Sequence, residues 1–474
     1  MIIDLGKRDL ITIEDFSNRE IEAVFRLADQ MSENMTEQFG MCQGKVMASL
    51  FFEPSTRTRM SFETAMNRLG GSVISVTEIG NTSLAKGESI ADMARVVGSY
   101  ADIIVIRHPW EGAAKVVADY AGVPVINAGD GGHQHPSQTL LDLYTLKKKW
   151  RMLKGLNVAL LGDLKYGRTV HSLVFALARF GALLNFRQMP GAEMPSYVLR
   201  KLEEYGLVLK VESGSGPFNV IYVSPPHQAG LPMDTSEMDL KIKVRREGHD
   251  IEVMKVNALY VTRRQKERLK LDSSGDDTDN IYPVVNKKFL EEEKYKRAIV
   301  MHPLPRVSEL AYEMDSDPRS MYFKQATFGV PVRMALLALL LGAKKVDMPE
   351  RRQLSFVEKK GFLTYEMDYG VRCQNASCVT AQETEKRYIK PKFEIVSFAP
   401  LTLRCAYCEQ ETPPEYVNSL YIASSKWHQG IVEKKRYYRA NSSMLKRIKP
   451  ENLIIFDSEE KAQRQGFKPG KRAA

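Results

Sequence analysis

Short apolar runs alternate with amphipathic stretches along the first 345 residues of the chain. Residues 46–52 form an almost continuous apolar run, which is typical of a strand buried on both faces of a sheet. After this run the period changes, and Phe62, Met66 and Leu69 fall at i, i+4 and i+7. Because that spacing places all three on one face of a helix, it predicts a helix after the strand. The unit repeats further along the chain, so we expect a parallel α/β domain.

A second group of the same patterns begins with the apolar run at residues 158–161. Further strands are expected at residues 258–261 and 298–301, and the apolar residues 330–341 suit a buried closing helix. Residues 213–250 lack a clear period and contain clusters of Gly, Ser and Pro, so we interpret them as an insertion. The pattern therefore predicts a second α/β domain that follows the first.

Length, composition and charge narrow the class of protein. The chain has 474 residues, of which 43% are hydrophobic and 27% charged, which is enough for several cores. Its longest apolar stretch, residues 335–341, is far shorter than the roughly 20 residues that cross a bilayer. The first residues lack the order of a secretory signal, and the chain has few cysteines. We therefore expect a cytoplasmic protein without a membrane partner.

The positive charge is concentrated in the C-terminal quarter. Residues 351–474 contain 23 Lys plus Arg against 14 Asp plus Glu, whereas the whole chain has a net charge of +10. A basic segment can bind nucleic acid or an acidic partner, but a solvated lysine-rich face explains the same composition. We favour the solvated face and do not expect nucleic acid as a partner.

The most informative motif is the polar string from Glu53 to Arg59, where a predicted strand gives way to a predicted helix. A helix start offers unpaired N–H groups and the positive end of the helix dipole. Hydroxyl and guanidinium groups placed there suit a doubly charged phosphate. The alternative is an ordinary helix cap formed by Ser55, with the arginines in solvent. Two hydroxyl–arginine pairs in succession after Pro54 argue against it.

This string resembles the carbamoyl phosphate signature of aspartate and ornithine carbamoyltransferases. The resemblance continues at residues 81–88, 107–109, 135–138, 162–169, 262–265 and 302–306. It covers roughly residues 5–345, and its motifs follow predicted strands, where ligands bind in open α/β sheets. It implies the carbamoyltransferase fold and transfer of a carbamoyl group to an amino acid. For aspartate, this is the committed step of pyrimidine biosynthesis.

The resemblance also implies a set of site residues. Catalytic roles fall on Arg57, Thr58, Lys86, Arg107 and His135. Carbamoyl phosphate binding falls on Ser55, Thr56, Arg57, Thr58, Ser83, Lys86, Arg107, His135, Gln138, Leu304 and Pro305. Aspartate binding falls on Lys86, Arg168, Arg263 and Gln265. Ser83 and Lys86 are expected to enter the site from a neighbouring subunit, so the active unit should be a homotrimer or a higher homo-oligomer.

The residue types favour aspartate over ornithine as the second substrate. Ornithine enzymes typically have a cysteine where this chain has Pro303, and a cationic side chain needs acidic partners. Here Arg168, Arg263 and Gln265 suit the two carboxylates of aspartate. Transfer to another amino acid, such as ornithine, and a catalytically silent assembly scaffold remain the alternatives.

Four of the five cysteines form two close pairs. Cys373 and Cys378 are followed by Cys405 and Cys408, a spacing typical of a structural tetrahedral Zn²⁺ site without an open catalytic position. We assign no role to Cys42. The arrangement resembles the zinc domain of the aspartate carbamoyltransferase regulatory chain, which implies one structural zinc per chain. The preceding linker is too short for that chain's nucleotide-binding domain, so we do not expect ATP or CTP to act through it.

The last segment resembles the metal-binding module of the adaptive-response DNA alkylation-repair protein. It has Tyr438, Ser442, Gly470 and Ala473 where that module has cysteines, so we expect neither zinc binding nor methyl transfer. The predicted fold is therefore α/β: two parallel-sheet domains, a small zinc-binding β module and a small C-terminal appendage. The predicted domains are residues 1–145 completed by a closing helix at 325–345, residues 150–295 with an insertion at about 213–250, residues 366–422, and residues 430–474.

Overall fold

The structure is a computed structural model of the whole chain. It describes all residues except 35–37, 39, 78–85, 151–152, 166, 189–190, 205–219, 225–242, 247–248, 253–255, 264–283, 294, 350–360, 384, 386, 427–434 and 471–474. Most of the predicted insertion therefore lies outside the described residues.

The described helices and strands follow the predicted alternation. The helices are α1 (Asn18–Glu33), α2 (Thr56–Arg68), α3 (Ile90–Tyr100), α4 (Ala113–Ala121), α5 (Pro136–Trp150), α6 (Arg168–Arg179), α7 (Ser196–Glu204), α8 (Tyr322–Leu340), α9 (Val379–Gln382), α10 (Pro414–Ser419) and α11 (Glu459–Arg464). The strands are β1 (Ile2–Ile3), β2 (Val46–Phe51), β3 (Ser72–Val76), β4 (Ile103–His108), β5 (Val125–Asp130), β6 (Asn157–Gly162), β7 (Leu183–Gln188), β8 (Val220–Ser224), β9 (Lys243–Arg246), β10 (His249–Glu252), β11 (Ala258–Val261), β12 (Ile299–Met301), β13 (Val346–Asp347), β14 (Leu363–Tyr365), β15 (Phe393–Phe398), β16 (Leu401–Cys405), β17 (Tyr421–Ser424), β18 (Arg436–Arg439), β19 (Leu453–Phe456) and β20 (Lys468–Pro469).

Two parallel sheets form the two lobes of the larger part of the chain. The first lobe has the strand order β3-β2-β4-β5, and the second lobe has the order β12-β11-β8-β6-β7. Strands β4, β5 and β11 are buried along their whole length, as expected for strands covered by helices on both faces. The predicted α/β class is confirmed, and the polar motifs lie at the carboxyl ends of these strands.

Helix α8 closes the first lobe by packing against α1, α2 and α5. It begins at Tyr322 and ends at Leu340, and most of its second half is fully buried. Its length and apolar composition alone would suit a membrane span, but 67% of its most apolar window is buried inside the protein. We therefore interpret it as a core helix of the first lobe.

The C-terminal part consists of two small modules that share a core. In the cysteine module, β14, β15 and β16 form an antiparallel sheet, accompanied by α9 and α10. In the terminal module, the sheet order is β19-β17-β18-β20. The Tyr365 hydroxyl, at the end of β14, donates to the carbonyl of Ile455 and accepts from its N–H group, at 2.9 and 2.8 Å. These contacts join the two modules along β19.

Candidate active site

A cleft of about 280 Å³ opens between the two lobes, at the carboxyl ends of their strands. Ten of the residues predicted to bind substrate line it: Ser55, Arg57, Thr58, Arg107, His135, Gln138, Arg168, Arg263, Leu304 and Pro305. They come from both sheets and from separate stretches of sequence. The folded chain therefore brings most of the predicted site residues together in one place.

The first polar cluster lies at the start of α2. Ser55 precedes the helix, while Arg57 and Thr58 belong to its first turn. The N–H groups of a first helical turn have no partner within the helix, and the helix dipole is positive there. Burial and the positive charge of Arg263 lower the pKa of Arg57, so the two guanidinium groups face the same region from different lobes. This end of the cleft is suited to an anion.

Glu53 holds two further guanidinium groups at the centre of the cleft. Its Oε2 atom lies 2.9 Å from Nη2 of Arg107, in the first lobe, and 2.8 Å from Nη1 of Arg168, at the start of α6 in the second lobe. Arg107 also donates to the carbonyl of Ala128, and Arg168 donates to the carbonyl of Gly131 at 2.7 Å. Glu53 thus bridges the two lobes, a role that the sequence motif did not indicate.

His135 lies buried just before α5, with its backbone N–H donating to Oγ of Ser172 at 2.9 Å. Burial lowers the pKa of His135 well below its usual value, and the charges of Arg107, Arg168 and Arg333 lower it further. The imidazole is therefore neutral near pH 7. A neutral imidazole beside guanidinium groups can donate one hydrogen bond to a polarised oxygen, but it is a weak proton acceptor.

Behind the cleft, the buried Asp142 organises the side chain of Gln138. Its Oδ1 atom accepts from Nε2 of Gln138 and from Nε2 of Gln325, both at 2.8 Å. Its Oδ2 atom accepts from the hydroxyl of Tyr260, on β11, at 2.9 Å. With its amide nitrogen engaged, Gln138 has its carbonyl oxygen left to accept from an NH₂ group. Burial raises the pKa of Asp142 to about 7.

The loop after β12 contributes residues to the lining of the cleft. Nδ1 of His302 accepts from the N–H group of Leu304 at 2.8 Å, and its Nε2 lies 2.9 Å from Glu309. Leu304 has a φ of +54°, which a hydrogen bond on each side of the His302 ring helps to maintain. Leu304 and Pro305 both line the cleft.

Four predicted site residues are not among those that line the cleft. Thr56 is exposed at the first position of α2, and Lys86 is exposed on the surface. Ser83 and Gln265 lie outside the described residues. Sequence reasoning in turn missed Glu53, Asp142 and Arg333, of which Glu53 and Arg333 line the cleft directly. Arg333 is buried in the middle of α8 and lies over the ring of Phe62 at 4.9 Å.

The four paired cysteines form a single cluster in the cysteine module. The sulfur atoms of Cys373, Cys378, Cys405 and Cys408 all lie within 4.8 Å of one another. Two of the sulfur–sulfur distances are 3.6 and 3.9 Å, close to the roughly 3.8 Å that four thiolates reach around a tetrahedral ion with bonds of about 2.3 Å. The donor set therefore fits a structural metal ion. Cys42 lies elsewhere, and burial raises its pKa to about 11.

Three stretches of the chain match known protein families. Residues 8–148 match the carbamoyl-P binding domain of aspartate/ornithine carbamoyltransferases, and residues 218–340 match their Asp/Orn binding domain. Residues 366–417 match the metal binding domain of the aspartate carbamoyltransferase regulatory chain.

Similar proteins and solved structures point to the same family. The catalytic subunit of aspartate carbamoyltransferase from Thermococcus kodakarensis is 44% identical over 342 residues, which cover 72% of this chain and 99% of that protein. The corresponding subunit from Methanothermobacter thermautotrophicus is 43% identical over 339 residues, covering 71% and 96%.

Among solved structures, the catalytic subunit of M. jannaschii aspartate transcarbamoylase has a TM-score of 0.55 at 40% identity, and covers 70% of this chain and 98% of that one. Aspartate transcarbamoylase from Trypanosoma cruzi in complex with N-(phosphonacetyl)-L-aspartic acid has a TM-score of 0.57 at 32% identity, covering 71% and 97%. The chain therefore belongs to the aspartate carbamoyltransferase family, and it carries the metal-binding domain of that family's regulatory chain on the same polypeptide.

Proposed function

We propose that this chain transfers the carbamoyl group of carbamoyl phosphate to the amino group of L-aspartate, which yields N-carbamoyl-L-aspartate and phosphate. The observation that carries the proposal is the convergence of guanidinium groups from both lobes on one cleft. Arg57, Arg107, Arg168 and Arg263 all line it. Two anionic substrates need this concentration of positive charge, because their mutual repulsion must be offset before they can react.

In this proposal the start of α2 binds the phosphate group. The hydroxyls of Ser55, Thr56 and Thr58 and the guanidinium of Arg57 donate to its oxygens, with the first-turn N–H groups and the helix dipole in support. Arg107 reaches both the phosphate and the carbamoyl oxygen. The phosphate is thus held at the point where its leaving charge is best stabilised.

The carbamoyl group lies between His135 and Gln138. Thr58, Arg107 and the neutral imidazole of His135 donate to the carbamoyl oxygen, on which negative charge develops when the amine attacks the carbon. The carbonyl oxygen of Gln138 and the main chain at Leu304 and Pro305 hold the carbamoyl NH₂ group. His135 therefore acts as a hydrogen-bond donor in the transition state rather than as a base.

The second lobe binds aspartate. Arg168 and Arg263 each offer a planar guanidinium fork to a carboxylate, and Gln265 adds an amide donor. Ornithine would leave its side-chain ammonium facing these cations. The acceptor is therefore a dicarboxylic amino acid.

A steady-state assay with carbamoyl phosphate tests the proposal by comparing L-aspartate with L-ornithine as acceptors. We expect turnover with aspartate, and turnover with ornithine alone would contradict it.

Arg57→Ala should reduce kcat/KM by roughly a thousandfold or more, because a charged anchor of the transition state is lost. Arg59→Ala is the matched control. Arg59 belongs to the same helical turn but pairs with Glu63 at 3.7 Å, outside the cleft, so activity should be retained.

We propose that the active form is a homotrimer or a larger homo-oligomer, in which Ser83 and Lys86 complete the cleft of a neighbouring subunit. Four large apolar side chains of the first lobe are exposed, which suits contact with another copy: Ile74 on the edge strand β3, Val96 and Tyr100 on α3, and Met60 on α2.

Mixing Arg57→Ala with Lys86→Ala subunits tests the shared site. Random reassembly should restore activity to about a quarter of the sites, because each variant supplies what the other lacks. A mixture as inactive as its components would contradict the shared site.

We propose Zn²⁺ as the metal of the cysteine module, in a structural role and with one ion per chain. Four thiolates and a closed coordination shell favour zinc, and thiolate ligands require a reducing compartment such as the cytoplasm. Metal analysis of the purified chain should find one zinc per chain, and Cys378→Ser should lower that content. Full occupancy by iron instead would contradict the assignment.

A further inference from the structure

The cysteine module contacts both lobes of the chain that carries it. On the first lobe, Nδ2 of Asn375 donates to Glu111 at 2.7 Å, and the N–H of Glu111 donates to the carbonyl of Ser377 at 2.9 Å. On the second lobe, Arg404 pairs with Glu204 of α7 at 2.9 Å. A module that touches both lobes can influence the cleft between them.

Glu409 lies where the cysteine module meets both the first lobe and the second lobe. It follows Cys408 directly, and its backbone φ is +59°. Its Oε1 atom lies 2.7 Å from Nζ of Lys201, on α7, while its Oε2 atom lies 3.1 Å from Nε2 of His133. Lys201 and His133 are both almost completely buried, and Lys201 also pairs with Glu14. Buried charges of this kind are strongly destabilising when one partner is removed.

A continuous chain of hydrogen bonds runs from Glu409 to the backbone of His135. Nε2 of Gln134 donates to Oε2 of Glu409 at 3.3 Å, which leaves Oε1 of Gln134 to accept from the hydroxyl of Ser172 at 2.5 Å. Oγ of Ser172 in turn accepts from the N–H group of His135 at 2.9 Å. Each member fixes the orientation of the next.

A second route holds the same segment from its other end. Nδ1 of His133 lies 2.9 Å from Oδ2 of Asp130, and Oδ1 of Asp130 accepts from the N–H group of Gln134 at 3.0 Å. Burial disfavours a charged His133, but Asp130 and Glu409 outweigh it and raise its pKa well above the usual value. The segment from Asp130 to His135 is therefore held between the first lobe and the cysteine module.

We infer that Glu409 is a positioning residue for His135, through which the cysteine module sets the geometry of the cleft in its own chain. The inference rests on the proposed function, in which His135 donates to the carbamoyl oxygen. Such a donor must lie within a few tenths of an ångström of its place, and a shift of about 1 Å can cost roughly a hundredfold in rate. Loss of the Glu409 charge would release the side chain of Gln134 and, with it, the anchor of His135.

Glu409→Gln tests this inference in the full-length, metal-loaded chain. A glutamine presents one oxygen and one NH₂ group to three donors, so at least one contact becomes a donor facing a donor. We expect kcat to fall about tenfold or more, with the KM for carbamoyl phosphate within about threefold of the parent value. Metal content per chain should stay unchanged.

Glu411→Gln is the matched control. Glu411 belongs to the same module and contacts Arg200 and Ser196 of α7, at 2.7 and 3.3 Å. Among the described residues, Glu411 makes no side-chain hydrogen bond or ion pair with the Asp130–His135 segment, so kcat should stay within about twofold. Equal losses of kcat in the two variants, or a loss of metal in proportion to kcat, would overturn the inference.

Ser172→Ala gives an independent test if Glu409→Gln fails to fold, since it alters no charge and lies away from the cysteines. It should also lower kcat, and the double variant should lose little more than the worse single variant, because both act on one route. A Ser172→Ala enzyme with the parent kcat, or fully additive losses, would overturn the inference. Failure of the proposed function is distinguishable, because the parent chain would then lack activity with L-aspartate.

Discussion

Among single residues, Asp142 is the group whose protonation should make the activity depend on pH. Burial raises its pKa to about 7, although hydrogen bonds from Gln138, Tyr260 and Gln325 and the charge of Arg333 all act to lower it. Protonation places a hydrogen on one Asp142 oxygen and reduces its capacity to accept, so the three hydrogen bonds that orient Gln138 are weakened. We therefore expect kcat/KM for aspartate to fall as the pH drops below about 7. Asp142→Asn should lose this acidic limb, together with roughly tenfold in activity at pH 8.

Tyr260→Phe distinguishes this group from any other that titrates nearby. The Tyr260 hydroxyl stabilises the ionised form of Asp142, so its removal should raise the pKa of that carboxyl and move the acidic limb to higher pH. His135 should not contribute, because its pKa lies well below its usual value. An acidic limb that keeps its position in both variants would assign the titration to another group.

The cleft residues that the sequence predicted lie in local motifs, whereas those that it missed reach the cleft through tertiary packing. Arg57 and Arg168 lie in polar strings that follow strands, at the start of a helix. A cationic residue at a helix start indicates an anion-binding site, so the sequence alone predicts their role. Arg333 instead lies within the apolar run of α8, and its place in the cleft depends on how that helix packs. Glu53 is acidic in an otherwise cationic motif, and its bridge between the lobes becomes apparent only from its distances to Arg107 and Arg168. Tertiary contacts of this kind carry no local signal.

At the scale of elements, the close approach of β6 to β8 requires a glycine at the end of β6. Gly162 has a φ of +90°, and a Cβ atom there would lie 2.0 Å from the carbonyl oxygen of Ser224 on β8. Gly162→Ala should therefore separate the two strands and cost roughly 2–4 kcal/mol of stability, visible as a lower melting temperature. Gly191→Ala is the control, since its φ is +81° but nothing lies within 4 Å of the added atom. It should cost about 1–2 kcal/mol, for backbone conformation alone. Equal losses would show that the contact with Ser224 is unimportant.

Many of the strands and helices were predictable because their burial fixes the pattern of hydrophobic residues along the chain. Strands β2, β6, β11 and β12 fall within a few residues of the predicted runs, since strands covered on both faces must be apolar throughout. The hairpin of β9 and β10 was not predicted. Its strands contain Lys243, Arg245 and Arg246 and pair with each other outside the two main sheets, so no apolar alternation marks them.

At the scale of the whole molecule, the terminal module supports the cysteine module. Strand β17 lies between β18 and β19, and Tyr365 of β14 is hydrogen-bonded to Ile455 of β19. Leu403 beside the cysteines and Ile455 belong to one apolar cluster. The last segment resembles a metal-binding module but lacks that module's cysteines, so the resemblance left its role open. Its strands complete the sheet and core on which the cysteine module rests.

Truncation after Lys426 should therefore weaken metal binding, although it removes none of the four cysteines. Strand β17 would lose both neighbours, and the shared core would be exposed to water at about 25 cal/mol per Å² of apolar surface. We expect metal transfer to a chromophoric chelator to become at least tenfold faster, while β2 and β4 keep their protection from hydrogen exchange. Removal of residues 471–474 alone is the control and should leave the rate unchanged. A truncated chain that releases its metal at the parent rate would mean that the cysteine module holds its ion without support from the strands that follow it.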